Sequence, residues 1–492
     1  MRKKRQFKAG RCPLRPTVGF VVAAFFAGCC PVCEAGKPSA ALIVESRRDA
    51  GHEWAKYEAR TVDRIPGFSP VRDELDEFGG LKGSGDGKAT GFFRVQKIDG
   101  RWWLIDPLGN RFISKGVATV VPGGGSKRKR AALKEKYGTN EKWFSATSEF
   151  LLDQGFNTLG GWSHVAPRGR EPARRIPYTR LVNPMLRFNS WRKKMGHAPN
   201  VEGYPKYVPP VFVKGLDDFI EKEISAFKSS ADDPYLIGYF IDNEIPWLDT
   251  MLRNCLTRFP TNHVNYTTAR TWLDKRHGET NFPLSKATDA DRQAFVAFGL
   301  ETYLRKVTAV LRRVDPNHLF LGCRFFRVRG QLENPEFFKV AGRYMDVVSV
   351  NHYKRWQPDP EETGNWVRWA DKPFLVTEFY TRGEDTGLPN MTGAGWNVRT
   401  QEDRGVFYEN FANELLKNRG CVGWHWFKYM DNDPEDLSTD PSNRDSNKGI
   451  LRVDFTPYEP LLRHMKALNE CVYGLIRFHD HGSGSRLQQN RQ

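Results

Sequence analysis

Cysteine is scarce in this chain, and where it occurs it is badly placed for metal or disulfide chemistry. Four of the eight cysteines (Cys12, Cys29, Cys30, Cys33) fall in the first 35 residues. The other four (Cys255, Cys323, Cys421, Cys471) are far apart and form no C-x-x-C-type pair, which excludes a zinc ribbon or a disulfide-framework fold. Cys323 and Cys421 sit in apolar runs and read as buried thiols; a Cys255–Cys471 bridge stays open for an exported protein. Long apolar runs are missing too. The longest, "TVGFVVAAFFAG", has 12 residues, too few to span a bilayer comfortably, and no later stretch is longer and as apolar. No G-x-S-x-G, P-loop or G-x-G-x-x-G occurs, so serine-hydrolase, nucleotide and dinucleotide chemistry have no foothold. The 11 histidines include no H-x-x-x-H, and no metal or other cofactor is expected. No repeat at solenoid or propeller spacing is present.

What is present starts with an export signal. "MRKKRQFKAGRCPLRP" is a basic segment, the 12-residue apolar run follows, and "CEAGKP" offers small residues for cleavage near Ala35. "FAGC" is a lipobox-like alternative that would give a lipid anchor. Residues 1–35 therefore read as a signal peptide, and the protein as periplasmic, cell-surface or extracellular. The net charge of +17 becomes +11 without them. That suits either an anionic partner or a merely basic soluble protein. Three basic runs, Lys127–Arg130, Pro167–Arg175 and Trp191–Lys194, carry much of it. The bland reading of each is a solvated surface; the functional reading is contact with a sulfated chain.

Residues 36–105 form a short extension with β character. Asp99-Gly100 and Pro107-Leu108-Gly109-Asn110 are turn signals between aromatic or β-branched runs. From there, eight short apolar strands alternate with amphipathic helices. The strands end near Thr119, Gly160, Leu181, Asp242, Arg324, Val350, Thr377 and Trp426. In the clearest helix Leu300, Leu304, Val307, Leu311 and Val314 recur at helical spacing, and Asp315-Pro316 ends it. Eight alternations over residues 106–478 predict an α/β fold, a (β/α)8 TIM barrel with the short N-terminal β-rich extension. A doubly wound sheet would place a Gly-rich phosphate turn after the first strand; here "VPGGGSKRKR" lacks that spacing and reads as a basic loop. The polar residues 479–492 read as a disordered tail.

A barrel of this kind carries its chemistry at the C-terminal strand ends. Strand four, "GYFIDNEIPW", ends in Asn243-Glu244; strand five in Arg324; strand six in Asn351-His352-Tyr353; strand seven in Glu378. Strand eight gives Trp424-His425-Trp426, with Tyr429 and Asp431 beyond. A lone strand-end glutamate is usually a salt-bridge or capping residue. Two of them, on strands four and seven, with an asparagine before one, suit double-displacement glycoside hydrolysis. Glu244 is then the acid/base, Glu378 the nucleophile, Asn243 a grip on the hydroxyl beside the reacting carbon, and Tyr353 a hydrogen-bond donor to Glu378. Trp247, beyond its strand, is a candidate sugar-stacking platform; Trp424 and Trp426 are either platforms or barrel core.

At residues 374–433 the pieces "TEFY", "GLPN-x-TGAG", "TQ-x-DRG" and "VGWHWFKYMDND" occur in one order, and together with "GYFIDNEIPW" they resemble the family-50 glycoside hydrolases, the β-agarases. The resemblance runs over roughly residues 93–478. It implies a retaining hydrolase of β-1,4 bonds in agarose, commonly exo-acting. Carried over residue by residue, it makes Glu244 the acid/base and Glu378 the nucleophile. Asp385, Asn390 and Thr392 fall in a substrate-binding loop, with Gln401 just past it. His425, Trp426 and Asp431 become subsite residues, with Arg324 and His352 at the neighbouring strand ends. The roughly seventy residues before the barrel are too few for the family's large N-terminal carbohydrate-binding-like domain intact. The expected partner is agarose or a related galactan, and no nucleic acid. A β-galactosidase of small oligosaccharides and a non-catalytic carbohydrate-binding protein on the same fold remain alternatives.

Overall fold

Eight parallel strands build the centre of the molecule: β1 (Ser114–Val117), β2 (Thr158–Leu159), β3 (Tyr178–Val182), β4 (Leu236–Ile241), β5 (Leu319–Phe320), β6 (Val348–Asn351), β7 (Phe374–Phe379) and β8 (Cys421–Trp426). The computed structural model describes residues 40–85, 88–197, 200–201, 204–439 and 444–489; the expected signal peptide lies outside the described residues. The strands pair in the order β5-β4-β3-β2-β1-β8-β7-β6, so the sheet curls with β5 and β6 as its edges. The continuous ladder stops there. Across the seam Phe325 pairs with Val350 in a single parallel bridge, with Phe325 N donating to Ser349 O at 2.9 Å and Asn351 N to Phe325 O at 2.7 Å. The reason for the short β5 is local. Gly322 (φ 89°) and Arg324 (φ 48°) take the left-handed region, which no strand tolerates.

All strand ends fall within a few residues of the positions expected from the apolar runs. Every residue of β4, β7 and β8 is buried, as parallel strands covered on both faces must be. Helices occupy the outer layer, among them Asp289–Val314, opened by a reciprocal Thr288/Asp291 capping box. Its buried stripe contains Leu300, Leu304, Val307, Leu311 and Val314. Between β2 and β3 the chain runs as an irregular loop without a helix. The stretch expected to be a basic loop is helical from Lys127 to Lys136, because Ser126 accepts the Lys129 amide and caps it.

Two small sheets, one antiparallel and one mixed, set the polarity of the molecule. Arg94–Ile98, Arg101–Ile105 and Arg111–Phe112 form one. Its Phe93, Leu104 and Phe112 side pack against Ile237, Leu319, Val347, Leu375 and Val422, which stand at the N-terminal ends of β4 to β8. That end of the curled sheet is thereby plugged, and the C-terminal end is left for a site. The second sheet joins Leu42–Arg47 and Ala55–Ala59 to Trp396–Val398 and Thr381–Gly383, the latter continuing from β7.

Two expectations give way. The boundary expected for a disordered tail at residue 479 falls inside the helix Val472–Gln489. His479 bonds Asn413 Oδ1, and Asp480 pairs with Arg101 and Arg419, partners too distant in sequence for a local reading to see. All four cysteines of the described chain are buried free thiols, so Cys255 and Cys471 are not bridged.

Candidate active site

The C-terminal strand ends open into a cleft of about 730 Å³. Glu244 and Glu378 both line it, with Asn243 and Asn351 between them. Asn351 Nδ2 donates to Glu244 Oε1 at 2.8 Å and to Asn243 Oδ1 at 3.2 Å. Asn351 is itself oriented by Thr377 Oγ1, which donates to its Oδ1 at 2.7 Å. Arg324 lies beneath, fully buried. Its Nε donates to Asn243 Oδ1 at 2.7 Å and its Nη2 pairs with Glu378 Oε1. Tyr353 donates its hydroxyl to Glu378 Oε2. So both Glu378 oxygens are held, while Glu244 has one amide partner.

That asymmetry separates the two carboxyls electrostatically. Burial first, and the nearby Glu378 charge second, push Glu244 up to about 7. Glu244 therefore keeps a proton near neutrality and can donate it. Glu378 instead has a guanidinium as its ion-pair partner. Two carboxyls in one cleft with unlike surroundings form the arrangement that lets one act as acid while the other acts as nucleophile.

Trp162 (φ 66°), Asp242 (φ 58°), Glu244 (φ 51°), Arg324 (φ 48°) and Lys354 (φ 62°), around this mouth, adopt left-handed backbone. Each such residue costs about 1–3 kcal/mol and persists only where its surroundings fix it. Trp162, Glu244 and Lys354 thereby line the cleft, and Arg324 lies beneath it. The neighbouring Asp242, buried and raised to about 7 by desolvation, does not enter it. Its carboxyl takes the Met185 and Leu186 amides at 3.3 and 3.2 Å and the Tyr303 hydroxyl, capping the helix Pro184–Lys194.

Several expected site residues stand elsewhere. Trp247 is 1% exposed and packs on Tyr303 and Phe337, so it offers no ring to a sugar. The chain turns back after β4, Trp247 N donating to Ile245 O at 3.0 Å, and carries the indole under the helix layer. Trp424 and Trp426 point together, as alternation requires, but outward. Trp424 Nε1 donates to Tyr408 Oη at 2.9 Å, and Trp426 packs on Phe379 and Tyr408. His425 is the inward residue of β8, buried below the cleft against Ser114 Oγ at 2.9 Å, and burial lowers it to about 3. His352 faces Trp366 and Phe411 in the outer layer and is also lowered to about 3 by burial. None of these touches the cleft.

The loop after β7 is braced rather than binding through its expected residues. Asp385 accepts the Gln401 amide at 2.9 Å and its Nε2 at 2.8 Å. Asn390 Nδ2 donates to Gly383 O at 2.9 Å and its Oδ1 accepts Asn447 N at 2.8 Å. Thr392 bonds Asp445 through its hydroxyl. Asp431, buried, accepts from Asn447, Gly449 N and Tyr458. What the loop brings to the cleft is Gly393 and Ala394. Gly395 permits this: a Cβ there would stand 2.4 Å from the Tyr380 ring, while Ala394 N donates to Tyr380 Oη at 2.8 Å.

Sequence reasoning missed the aromatic wall. Trp162, 39% exposed, lines the cleft with Phe326, Tyr380 and Phe427. The signal was there, since each aromatic lies within a few residues beyond a predicted strand end. Also missed are Arg327 and Lys354 on the rim. Arg327 is paired with Glu333 and Glu362. Arg327 and Val328 also line a second, polar cleft of about 450 Å³ with Arg292, Arg329 and Asn334.

No protein-family model matches the chain. β-Agarase B of Vibrio sp. (strain JT0107) is 26% identical over 519 residues, covering 86% of this chain and 52% of its own. β-Agarase A of the same strain is 24% identical over 478 residues, covering 78% and 46%. The chain is similar to β-agarases. It spans about half the length of these two curated relatives. Among solved structures, the crystal structure of BpGH50 superposes with a TM-score of 0.78 at 27% identity, over 89% of this chain and 96% of that one. A structure of the agarase AgWH50C gives 0.66 at 23% identity, over 83% and 67%, and shares the fold.

Proposed function

We propose that the chain is an exported retaining glycoside hydrolase that cleaves β-1,4 galactosidic bonds of agarose or a related red-algal galactan, on a (β/α)8 barrel closed through Phe325 and Val350. One observation carries the reading: Glu244 and Glu378, from β4 and β7, enter one cleft in unlike electrostatic surroundings. The similarity to β-agarases supports the substrate class.

In this reading Glu378, fixed by Arg324 and Tyr353, attacks the anomeric carbon. Glu244 passes its proton to the leaving oxygen. In the second half it takes a proton from water, which then displaces Glu378 from the sugar. Asn243 sits beside the hydroxyl next to the reacting carbon, where a hydrogen bond strengthens toward the transition state. Trp162, Phe326, Tyr380 and Phe427 supply apolar faces for the pyranose rings. The second cleft beyond Arg327 gives a longer chain room to continue. Retention requires carboxyl groups roughly 5–5.5 Å apart in the working complex. The basic and apolar segments before residue 36 are the ground for export.

The test is an end-product assay. The protein and its Glu378→Ala variant are incubated with agarose and with porphyran, soluble oligosaccharides are sized, and the anomeric configuration of fresh product is read by NMR. The expected result is β-configured neoagaro-oligosaccharides from agarose, absent in the variant. Release from porphyran alone moves the substrate to a sulfated galactan. Inverted product, or release that survives in Glu378→Ala, overturns the mechanism. No release from either polymer overturns the galactan reading.

A further inference from the structure

The N-terminal hairpin lies against the two loops that wall the cleft. Leu42–Arg47 pairs antiparallel with Ala55–Ala59 and, through Ser46↔Val398 and Arg47↔Asn397, with Trp396–Val398. That strand begins two residues after Ala394, which lines the cleft. Side chains reinforce the seam: Ser46 Oγ donates to Asn397 O at 2.8 Å, Arg47 pairs with Glu384, and Arg399 Nε bonds Glu45 Oε2 at 3.0 Å.

The same hairpin reaches the loop after β6. Trp356 follows Tyr353 and Lys354, both of which line the cleft, and its Nε1 donates to Glu58 O at 3.0 Å. Tyr57 joins the two halves. Its ring centroid stands 5.2 Å from that of Trp356 and 5.1 Å, edge on, from that of Trp396. The hairpin is tied to the body behind it by Arg60 N to Asn410 Oδ1 at 3.0 Å and Val62 N to Glu409 Oε2 at 2.6 Å.

We infer that hairpin 42–59 is a positioning element for the substrate cleft, and that Tyr57, wedged between Trp356 and Trp396, sets the spacing of the Tyr353–Lys354 and Gly393–Ala394 walls. Nothing in the chemistry uses Tyr57; it acts through the two tryptophans. Loosening it therefore weakens the grip on a sugar chain spanning both walls and leaves the Glu244/Glu378 chemistry intact. Aromatic contact, not the hydroxyl, carries the effect, since ring packing is what links the three side chains.

The test compares Tyr57→Ala and Tyr57→Phe in the full chain. Its kinetic arm rests on the galactan-hydrolase reading; its exchange arm does not. With neoagarohexaose as substrate, Tyr57→Ala is expected to raise KM roughly tenfold with kcat within twofold and the pH profile unmoved, and Tyr57→Phe to restore wild-type values. By hydrogen exchange, backbone amides of 353–357 and 393–397 should exchange faster in Tyr57→Ala and at the wild-type rate in Tyr57→Phe. A wild-type protein inert on neoagarohexaose sinks the substrate reading, and the exchange arm alone then decides the clamp. Unchanged exchange in Tyr57→Ala overturns the clamp. So does a fall in kcat without a rise in KM, which marks a general loss of structure.

Discussion

In the proposed mechanism Glu244 is the residue on which the chemistry turns, because its environment and not its identity would make it an acid. A carboxyl at its ordinary value would have shed its proton well below neutrality. Burial and the Glu378 charge hold this one up to about 7. The alkaline limb of the rate profile is therefore expected near pH 7, where Glu244 loses its proton. In Glu244→Gln that limb should vanish, and turnover of galactan oligosaccharides should fall by about 10²–10⁴, the usual worth of a placed general acid. A substrate with an aryl leaving group of low pKa needs no proton, so its first bond cleavage should be nearly spared. Stopped-flow release of the aryl group, set beside steady-state turnover of the oligosaccharide, measures both. An equal loss on the two substrates would mean that Glu244 acts in some other way.

At the scale of the element, the strand ends show why some residues were legible and others were not. The strands themselves could be read from apolar runs because parallel strands are buried on both faces. The pair Asn243-Glu244 and Glu378 could be read because carboxyls seldom end such runs without a role. Which way a strand-end side chain faces is another matter. β7 shifts register against β8 between Val376 and Phe379, and against β6 between Val350 and Asn351. Such irregularities reset the alternation that a sequence reading must assume. Glu378 and Asn351 reach the cleft, while His352, Trp424 and Trp426 go to the helix layer. Trp247 was misplaced for a related reason, since nothing local shows the chain folding back after Ile245.

The loop after β2 contributes by what it omits. In "LGGW", a Cβ on Gly161 would lie 2.5 Å from Arg324 Nη1. Gly161→Ala should push the guanidinium away from Glu378 and Asn243 while leaving the strands in place. The expected outcome is a kcat lower by ten- to a hundredfold at nearly unchanged melting temperature, measured side by side by kinetics and calorimetry. An equal loss in a variant that unfolds early would instead assign Gly161 to the core.

Across the whole molecule, charge does less than its total suggests. Two of the three basic runs that looked suited to an anionic chain are tied to acids of their own neighbourhood: Arg170 to Glu141, Arg174 to Asp153 and Arg175 to Asp233 in one, and Arg128 to Asp433 in the other. The cationic groups that meet the cleft are Arg327 and Lys354, and no run of the sequence announced them. What the whole molecule does reveal is the energetic cost of the acid. Glu244 titrates near 7 when folded and near its ordinary 4.5 when unfolded, so between these values the native state binds the extra proton. Stability supplied by that proton is full below about 4.5 and is lost as pH rises toward 7, on the order of 3 kcal/mol. The wild-type curve alone hides this. His352 and His425, neutral when folded down to about 3, have the opposite sign and gain stability up to their unfolded value near 6.5. Glu244→Gln isolates the one term, because the amide keeps an oxygen for Asn351 and carries no charge at any pH. Urea unfolding at pH 4.5 and at pH 8 should give the variant and the wild type similar stability at the lower pH and a more stable variant at the higher. A difference independent of pH would mean that Glu244 titrates alike folded and unfolded, and the acid role would lose its physical basis.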